Sequence, residues 1–253
     1  MKAASVPFEI GGYVLAGGKS SRMGRDKALL ELAGDPLVCH AVKKLRRVCI
    51  DVRILSANPE LAVYAPIVPD LHPGCGPLGG LEAALTHSVF DWNLLMPVDM
   101  PLLPSAFLQH WIRMTLGSDR QGARIALFTV DGFPQPTFCL LHKDVLPFVT
   151  EAMESKEFKL YPVLERAGRE LAERRGLLLG STFRNLSWLP ENTFEALADA
   201  DGAPQQAWLA TTAAQQDAKH LWFANLNTPK EFAEAERHIN ALDTMGSDGP
   251  GSV

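Results

Sequence analysis

The sequence predicts a three-layer α/β/α protein, in which a mostly parallel central sheet lies between two layers of helices. Short apolar runs alternate with longer stretches of helical periodicity, and glycine-rich loops follow several of these runs. Such alternation is typical of repeated units of strand and helix, whose strands pair side by side in one sheet. We therefore expect each apolar run to be a strand and each periodic stretch to be a helix that covers the sheet.

The predicted strands are short apolar runs bounded by polar or glycine-rich residues, as buried strands usually are. Five of them lie within the first 130 residues, at 13–16 (YVLA), 52–57 (VRILSA), 67–70 (IVPD), 92–99 (WNLLMPVD) and 124–130 (RIALFTV). Two more are predicted at 136–142 (PTFCLLH) and 221–227 (LWFANLN).

Helices are predicted where apolar residues recur at the spacing of one helix face. These segments are 36–48, 76–89, 104–116, 144–155, 159–168 and 228–242. The last has the strongest start signal, because Thr228 can cap a helix with Pro229 at its first position and Glu231 at its third.

Length and composition predict one domain over residues 1–242, since 253 residues with 47% hydrophobic content can bury a sizeable core. Residues 185–219 are rich in Ala, Gln, Asp and Glu and have poor periodicity, which indicates an insertion that is loop-rich or helical. The polar, glycine-containing tail 243–253 is predicted to be disordered.

The overall charge and the cysteine pattern exclude several classes of protein. A net charge of −5 argues against a nucleic-acid backbone or an anionic membrane surface as partner. The four cysteines have no CxxC spacing, which disfavours a zinc site or a disulfide framework, and no apolar window suits a signal peptide or a membrane span. We therefore expect a cytoplasmic protein.

A glycine-rich basic loop, 15–27 (LAGGKSSRMGRDK), follows the first predicted strand. Open α/β sheets bind ligands at the carboxyl ends of their strands, so this loop lies where a ligand is expected. Its glycines allow close backbone approach, and four cations between residues 19 and 27 make a local positive pocket suited to a polyphosphate. The loop contains neither GxxxxGK nor GxGxxG, which excludes a P-loop or a dinucleotide fingerprint.

Two acidic residues follow other predicted strands. Asp99 lies between Pro97 and Pro101 and is a natural oxygen ligand for Mg²⁺, although it is also suited to capping the next helix. Asp70 precedes a glycine-rich lip, residues 71–80, which can admit a bulky ligand or can simply allow tight helix packing.

Four blocks of the sequence together resemble the molybdenum cofactor guanylyltransferase family: LAGGKSSRMGRDK, PDLHPGCGPLGGL, PVDMP and NLNTPKEF. The first block alone indicates the wider nucleotidyltransferase superfamily, whereas the Gly17-Gly18 pair and residues 25–27 resemble its guanylyl branch. The resemblance implies a Rossmann-like fold of the nucleotide-diphospho-sugar transferase type.

The resemblance also implies a reaction with GTP and molybdenum-bound molybdopterin as substrates and Mg²⁺ as cofactor. A phosphate oxygen of molybdopterin would attack the α-phosphorus of GTP, giving the guanine dinucleotide and pyrophosphate. Nucleotidyl transfer depends mainly on positioning and charge neutralisation, so it needs no side-chain nucleophile.

By residue-to-residue match, the family implies roles for three groups of residues. The GTP-binding residues would be Leu15, Ala16, Gly17, Gly18, Lys27, Asn58, Asp70 and Asp99. The catalytic residues would be Arg22, Lys27 and Asp99, with Asp99 also holding the metal. The molybdopterin side would be formed by Gly76, Gly80, Asn225 and Asn227.

Two alternatives stay open. One is a related enzyme that uses CTP, or that acts on a sugar phosphate. The other is a non-catalytic nucleotide-binding adaptor that presents the cofactor to a molybdoenzyme or its chaperone. The joint presence of Arg22, Lys27 and Asp99 favours an enzyme, because binding alone does not require a metal carboxylate beside the phosphates.

Overall fold

The computed structural model describes four ranges of the chain, 8–17, 26–117, 122–188 and 211–243. Residues 189–210, which form most of the predicted insertion, lie outside the described residues, as does the tail after Asp243.

Within the described residues, seven strands form one sheet in the order β5-β4-β1-β6-β8-β7-β9. Their bounds are β1 Ile10–Leu15, β4 Asp51–Leu55, β5 Ile67–Val68, β6 Trp92–Pro97, β7 Ile125–Val130, β8 Phe133–His142 and β9 Phe183–Trp188. Only β8 runs antiparallel to its neighbours in this sheet. The predicted mostly parallel sheet is therefore confirmed. A separate small hairpin pairs β2 Glu31–Leu32 with β3 Asp35–Pro36.

Eight α-helices are seen in the described ranges: α1 Leu37–Leu45, α2 Pro77–His87, α3 Ser105–Leu116, α4 Leu146–Glu154, α5 Leu160–Arg175, α6 Leu179–Thr182, α7 Ala213–Asp217 and α8 Pro229–Arg237. Short 3-10 helices lie at Lys27–Leu29, Pro59–Val63, Lys143–Val145, Lys219–Leu221 and Ile239–Ala241. None of the described helices combines the length and the apolar character needed to cross a membrane.

The two faces of the sheet are covered by different helices, as the alternation of side chains along β1 illustrates. Ile10 and Val14 pack into a core with α1 and α3, whereas Tyr13 packs into a second core with α2, α4 and α5. Successive side chains of a strand point to opposite faces, so both faces of a central strand must be apolar.

The strand predicted at 221–227 is wrong. These residues form the end of a 3-10 helix followed by irregular backbone. Their apolar character has another cause, because Trp222 and Phe223 are buried in an aromatic cluster with Phe107 and Trp188. Aromatic burial from an irregular segment produces the same sequence signal as a short buried strand.

The loop-rich or helical interpretation is also wrong for the first residues of the predicted insertion. Residues 183–188 (FRNLSW) form β9, which pairs in parallel with β7 at the edge of the sheet. The residues at its two ends, Phe183 and Trp188, are buried. Asn185 and Ser187, which lie between them, are exposed. A half-exposed edge strand carries polar residues, which obscured its apolar pattern.

Asp243 fastens the end of the described chain to α1 and α3. Its carboxylate accepts hydrogen bonds from Lys44 Nζ at 3.0 Å, the Ser105 backbone N–H at 3.2 Å and Gln215 Nε2 at 3.1 Å, and Arg47 Nη1 lies 3.6 Å away. Burial acts to raise the pKa of Asp243, but Lys44, Arg47 and Ser105 outweigh it, so the pKa lies below its ordinary value. The Lys44 side chain is only 2% exposed and depends on this partner.

We expect Asp243→Asn to lower the free energy of unfolding by about 2–3 kcal/mol, because it leaves the buried Lys44 charge without its carboxylate. The matched control is Asp35→Asn, since Asp35 pairs with the adjacent lysine, Lys43, but both partners are exposed. Urea unfolding should show a loss of less than about 1 kcal/mol for that control. Equal losses would contradict the assigned role of burial.

The same carboxylate gives stability a defined pH dependence. Because the pKa of Asp243 is lower in the folded chain than in the unfolded chain, its ionised form favours folding. This contribution is complete above the unfolded-state pKa of about 4 and is lost as the pH falls through the lower folded-state pKa. Urea unfolding across that range should show a steeper acid loss for the wild type than for Asp243→Asn, and parallel profiles would refute the assignment.

Candidate active site

A cleft of about 970 Å³ opens at the carboxyl edge of the parallel strands. Many of the residues predicted from the sequence lie along its wall: Leu15, Ala16, Gly17, Lys27, Asp70, Gly76, Gly80, Asp99, Asn225 and Asn227. The cleft is large enough to hold a nucleotide together with part of a second substrate, since ligand sites commonly span about 300–1,000 Å³.

The order of the strands places the ends of β4, β1 and β6 side by side at the cleft. The central strand β1 pairs in parallel with both β4 and β6, so the three strands end at the same edge. Two backbone hydrogen bonds continue this pairing beyond the strands, from Ala16 N–H to Leu55 O at 3.2 Å and from Val98 N–H to Leu15 O at 3.1 Å. Asp99 is consequently held beside the start of the glycine-rich loop.

Lys27 connects three distant parts of the chain at this edge. It begins a 3-10 helix whose N-terminus is capped by Asp26, whose Oδ1 accepts a hydrogen bond from Ala28 N–H at 3.0 Å. The Lys27 ammonium contacts the Asp99 carboxylate and donates to Asn227 Oδ1 at 2.6 Å. The side chains of Lys27 and Asp99 are 19% and 15% exposed, so this ion pair is largely withdrawn from solvent.

Asp99 keeps one oxygen available after this contact. Its Oδ2 meets Lys27, whereas its Oδ1 is buried and has no hydrogen-bond partner among the described residues. A buried oxygen in that state carries a desolvation cost, which a ligand with a positive charge or a hydrogen-bond donor would remove. Asp99 therefore fits a hard cation such as Mg²⁺.

Asn227 is positioned by the start of α8. Glu231 Oε2 accepts the backbone N–H groups of Asn227 and Thr228 at 2.6 and 2.7 Å, and Thr228 Oγ1 accepts that of Glu231 at 3.3 Å. The predicted start of this helix is thus confirmed as a full capping box. Burial acts to raise the pKa of Glu231, but these hydrogen bonds and the Lys27 charge outweigh it and leave the pKa below its ordinary value.

Asn58 is not among the described residues that line the cleft. Its Nδ2 donates to Asp26 Oδ2 at 2.7 Å, and its Oδ1 accepts from Glu60 N–H at 3.0 Å. In this structure Asn58 therefore braces the residue that precedes Lys27, while its predicted nucleoside contact stays a prediction.

Asp70 and residues of the glycine-rich lip form another part of the cleft wall. Gly76 adopts φ 65° and ψ −153°, a conformation reserved almost entirely for glycine, just before α2 begins. A Cβ at Gly80 would lie 3.1 Å from Leu15 Cδ2, so this helix packs closely on the end of β1. Burial raises the pKa of Asp70 above its ordinary value, so its ionised form is destabilised in this wall.

A contact between the exposed side chain of His72 and a buried carboxylate of α2 supports the lip. Glu82 on α2 is 4% exposed in its side chain, and its Oε2 lies 2.8 Å from Nδ1 of His72, which is in the lip. This contact ties the middle of the lip to the helix that follows it.

Two predicted residues, Gly18 and Arg22, lie outside the described residues, so their roles stay predictions. The sequence analysis missed Thr137, which lines the cleft from β8. Because β8 runs antiparallel to β6, Thr137 lies in the first half of its strand, at the sheet edge where β6 ends. The rule that ligands bind at the carboxyl ends of parallel strands does not locate such a residue.

The fold and the cleft together define an α/β protein with a candidate ligand site at the carboxyl edge of its sheet, where a lysine pairs with an aspartate. A profile of the family described as "MobA-like NTP transferase domain" matches residues 12–171. The chain therefore belongs to that family, and it is a nucleotidyltransferase.

Curated relatives agree with this membership. The chain is 36% identical over 168 residues to the molybdenum cofactor guanylyltransferase of Serratia proteamaculans, an alignment that covers 63% of this chain and 81% of that protein. It is 34% identical over 171 residues to the enzyme of the same name from Vibrio atlanticus, covering 66% and 80%.

Solved structures share the fold at lower identity. Molybdopterin-guanine dinucleotide biosynthesis protein A from Archaeoglobus fulgidus superposes with a TM-score of 0.62 at 19% identity, covering 92% of this chain and 100% of that one. A nucleotidyl transferase from Methanothermobacter has a TM-score of 0.58 at 14% identity, covering 92% and 98%. These likenesses confirm the predicted nucleotide-diphospho-sugar transferase type of fold.

We expect Gly76→Ala to lower the free energy of unfolding by about 1–3 kcal/mol, because a Cβ is strained at this φ and ψ. Gly180→Ala is the matched control, since a Cβ there would meet no described residue within 4 Å. That control should be neutral or stabilise by about 0.5–1 kcal/mol, because alanine favours a helix over glycine. Denaturant unfolding that shows equal effects for both variants would contradict the conformation assigned to Gly76.

Proposed function

We propose that this protein transfers GMP from GTP to the phosphate of molybdenum-bound molybdopterin, with Mg²⁺ as cofactor, giving molybdopterin guanine dinucleotide and pyrophosphate. The observation that carries the proposal is the meeting of Lys27, Asp99 and Asn227 in the cleft. The names of the curated relatives support guanylyl transfer as the reaction.

In this proposal the end of β1 holds the nucleoside. Leu15, Ala16 and Gly17 line the cleft where the strand ends, so they offer an apolar side chain and exposed backbone to a base and its ribose. Gly17 has room beside it, because a Cβ there would lie no closer than 3.6 Å to Leu55 O.

Lys27 would neutralise phosphate charge and stabilise the pyrophosphate as it leaves. Its ammonium already lies in the cleft, held by Asp99 and Asn227, so little reorganisation is needed when phosphate oxygens replace those partners. Arg22 is proposed to add a second positive charge from the loop.

Asp99, with Asn227 beside it, would hold the magnesium ion. The orphaned Asp99 Oδ1 is the observation that supports this assignment. The ion held there would supply positive charge that offsets the charge developing on the phosphates. Asp99 itself would then exchange its contact with Lys27 for the cation, which frees the lysine for the phosphates.

The molybdopterin side would occupy the wall formed by the lip. Gly76 is exposed at this wall and Gly80 lines the cleft from the first turn of α2, while Asn225 and Asn227 supply amide groups to the same cleft. The lack of side chains at these glycines leaves room for a bulky pterin, and the amides can orient its phosphate toward the nucleotide.

The reaction is proposed to occur in the cytoplasm, with a molybdoenzyme or its chaperone as the recipient of the product. All four cysteines are free, which suits a reducing compartment.

Asp99→Asn should reduce the rate of dinucleotide formation by about 10²–10³-fold, because one cation-binding charge disappears at the reacting phosphates. The assay incubates the purified chain with GTP, Mg²⁺ and molybdenum-bound molybdopterin, and quantifies the dinucleotide by chromatography. The matched control is Asp91→Asn, which removes a carboxylate from an exposed ion pair just before β6, at the opposite end of the same strand. Wild-type activity in both variants would reject the role proposed for Asp99.

The choice of nucleotide separates the proposal from its rivals. With GTP, CTP and ATP compared in the same assay, the wild type should form a dinucleotide with GTP in clear preference. Turnover with CTP instead would establish a cytidylyl enzyme. Tight GTP binding without any product would establish the adaptor.

A further inference from the structure

We propose that His220, Glu234 and His238 form a binding site for a late first-row divalent metal ion, of which Zn²⁺ is the natural representative. The three side chains gather where the 3-10 helix at Lys219–Leu221 meets the C-terminal end of α8. This site is distinct from the cleft, and the inference does not rest on the proposed function.

The donor atoms are already close together. One ligand atom from each of the three residues lies within 4.8 Å of the others, and the imidazole ring centroids are 5.6 Å apart and nearly perpendicular. Zinc bonds to nitrogen and oxygen span about 2.0–2.2 Å, so small side-chain rotations would bring the three atoms around one ion. Such rotations are available, because His220 is exposed and the other two residues are half-buried.

The hydrogen bonds of the cluster prepare His238 for a metal. Its Nδ1 lies 3.1 Å from the backbone oxygen of Glu234, which can only accept, so Nδ1 carries the proton and Nε2 has the free lone pair. A hydrogen bond of this kind, which fixes the tautomer of a ligating imidazole, is a regular feature of metal sites in proteins.

The carboxylate of Glu234 can serve two partners at once. Its Oε2 accepts from Arg237 Nη1 at 2.5 Å, while its Oε1 lies 3.8 Å from His238 Nδ1. Arg237 can therefore hold one oxygen while the other turns toward the ion. Two imidazoles and one carboxylate form a donor set that selects zinc and its neighbours over Mg²⁺, which prefers oxygen ligands alone.

The ion would join two segments that the chain connects through irregular backbone. His220 lies before the buried Trp222, whereas Glu234 and His238 lie at the far end of α8. The helix has nine residues, and its other end carries Asn227 and the capping box, at a distance of about 13 Å. Metal binding would consequently fasten α8 to the preceding turn and stabilise the folded chain.

The test titrates tag-free wild-type protein with ZnCl₂ by calorimetry, with Mg²⁺ in excess, and measures bound zinc after dialysis by mass spectrometry. We expect one zinc ion per chain and a higher Tm with zinc present. His220→Ala and His238→Ala should each weaken zinc binding at least about tenfold, and Glu234→Gln should weaken it less. His87→Ala is the matched control, because His87 is an exposed histidine at the end of α2 and belongs to no such group in the described ranges.

Circular dichroism of each zinc-free variant separates loss of the site from loss of the fold, and His220→Gln gives a second variant that keeps a polar side chain of similar size. Absence of zinc binding by the wild type would overturn the proposal. Binding that is weakened equally by His87→Ala, or that survives both His220 variants, would overturn it as well. GTP binding by the variants is expected to persist, so this result is independent of the guanylyl transfer assay.

Discussion

The contact of Lys27 with Asp99 and Asn227 is the interaction on which the active-site arrangement depends. It brings together the last residue of the glycine-rich loop, a residue just after β6 and the residue before the N-cap of α8, which are separated by up to 200 positions along the chain. The sheet order supplies one part of this arrangement, because β1 and β6 are parallel neighbours and their ends lie at one edge, which places Asp99 beside the start of the loop. Charge is thereby concentrated where an α/β sheet binds its ligand.

The C-terminal segment, residues 211–243, is fixed to the rest of the fold at several points, which keeps Asn227 beside Lys27. At one end the backbone N–H of Leu226 donates to Asp99 O at 3.0 Å, and the capping box of α8 orders Asn227. At the other end Asp243 binds Lys44 and the start of α3. Between them Trp222 is fully buried and donates from Nε1 to Gln215 O at 2.8 Å. A segment far from the nucleotide loop in sequence is therefore part of the structure that forms the site.

The sequence predicted what depends on local pattern. Apolar runs located most strands, and the position of Asp99 at a strand end located the carboxylate of the cleft. The sequence did not predict which distant residues contact each other. No sequence pattern pairs Lys27 with Asn227 or shows that Asn58 hydrogen-bonds to Asp26. The two errors, at 221–227 and at β9, have one cause, since periodicity reports burial and does not report which backbone hydrogen bonds a segment makes.

The central proposal is that Lys27 pairs with Asp99 in the free protein and that a metal ion replaces it on Asp99 when the nucleotide binds. Mn²⁺ binding to wild type and to Lys27→Met, measured by electron paramagnetic resonance without nucleotide, tests it most directly. The account predicts that Lys27→Met binds Mn²⁺ more tightly than the wild type, because Asp99 loses its competing cation, and binds GTP more weakly in a parallel titration. Unchanged Mn²⁺ affinity in Lys27→Met would contradict it.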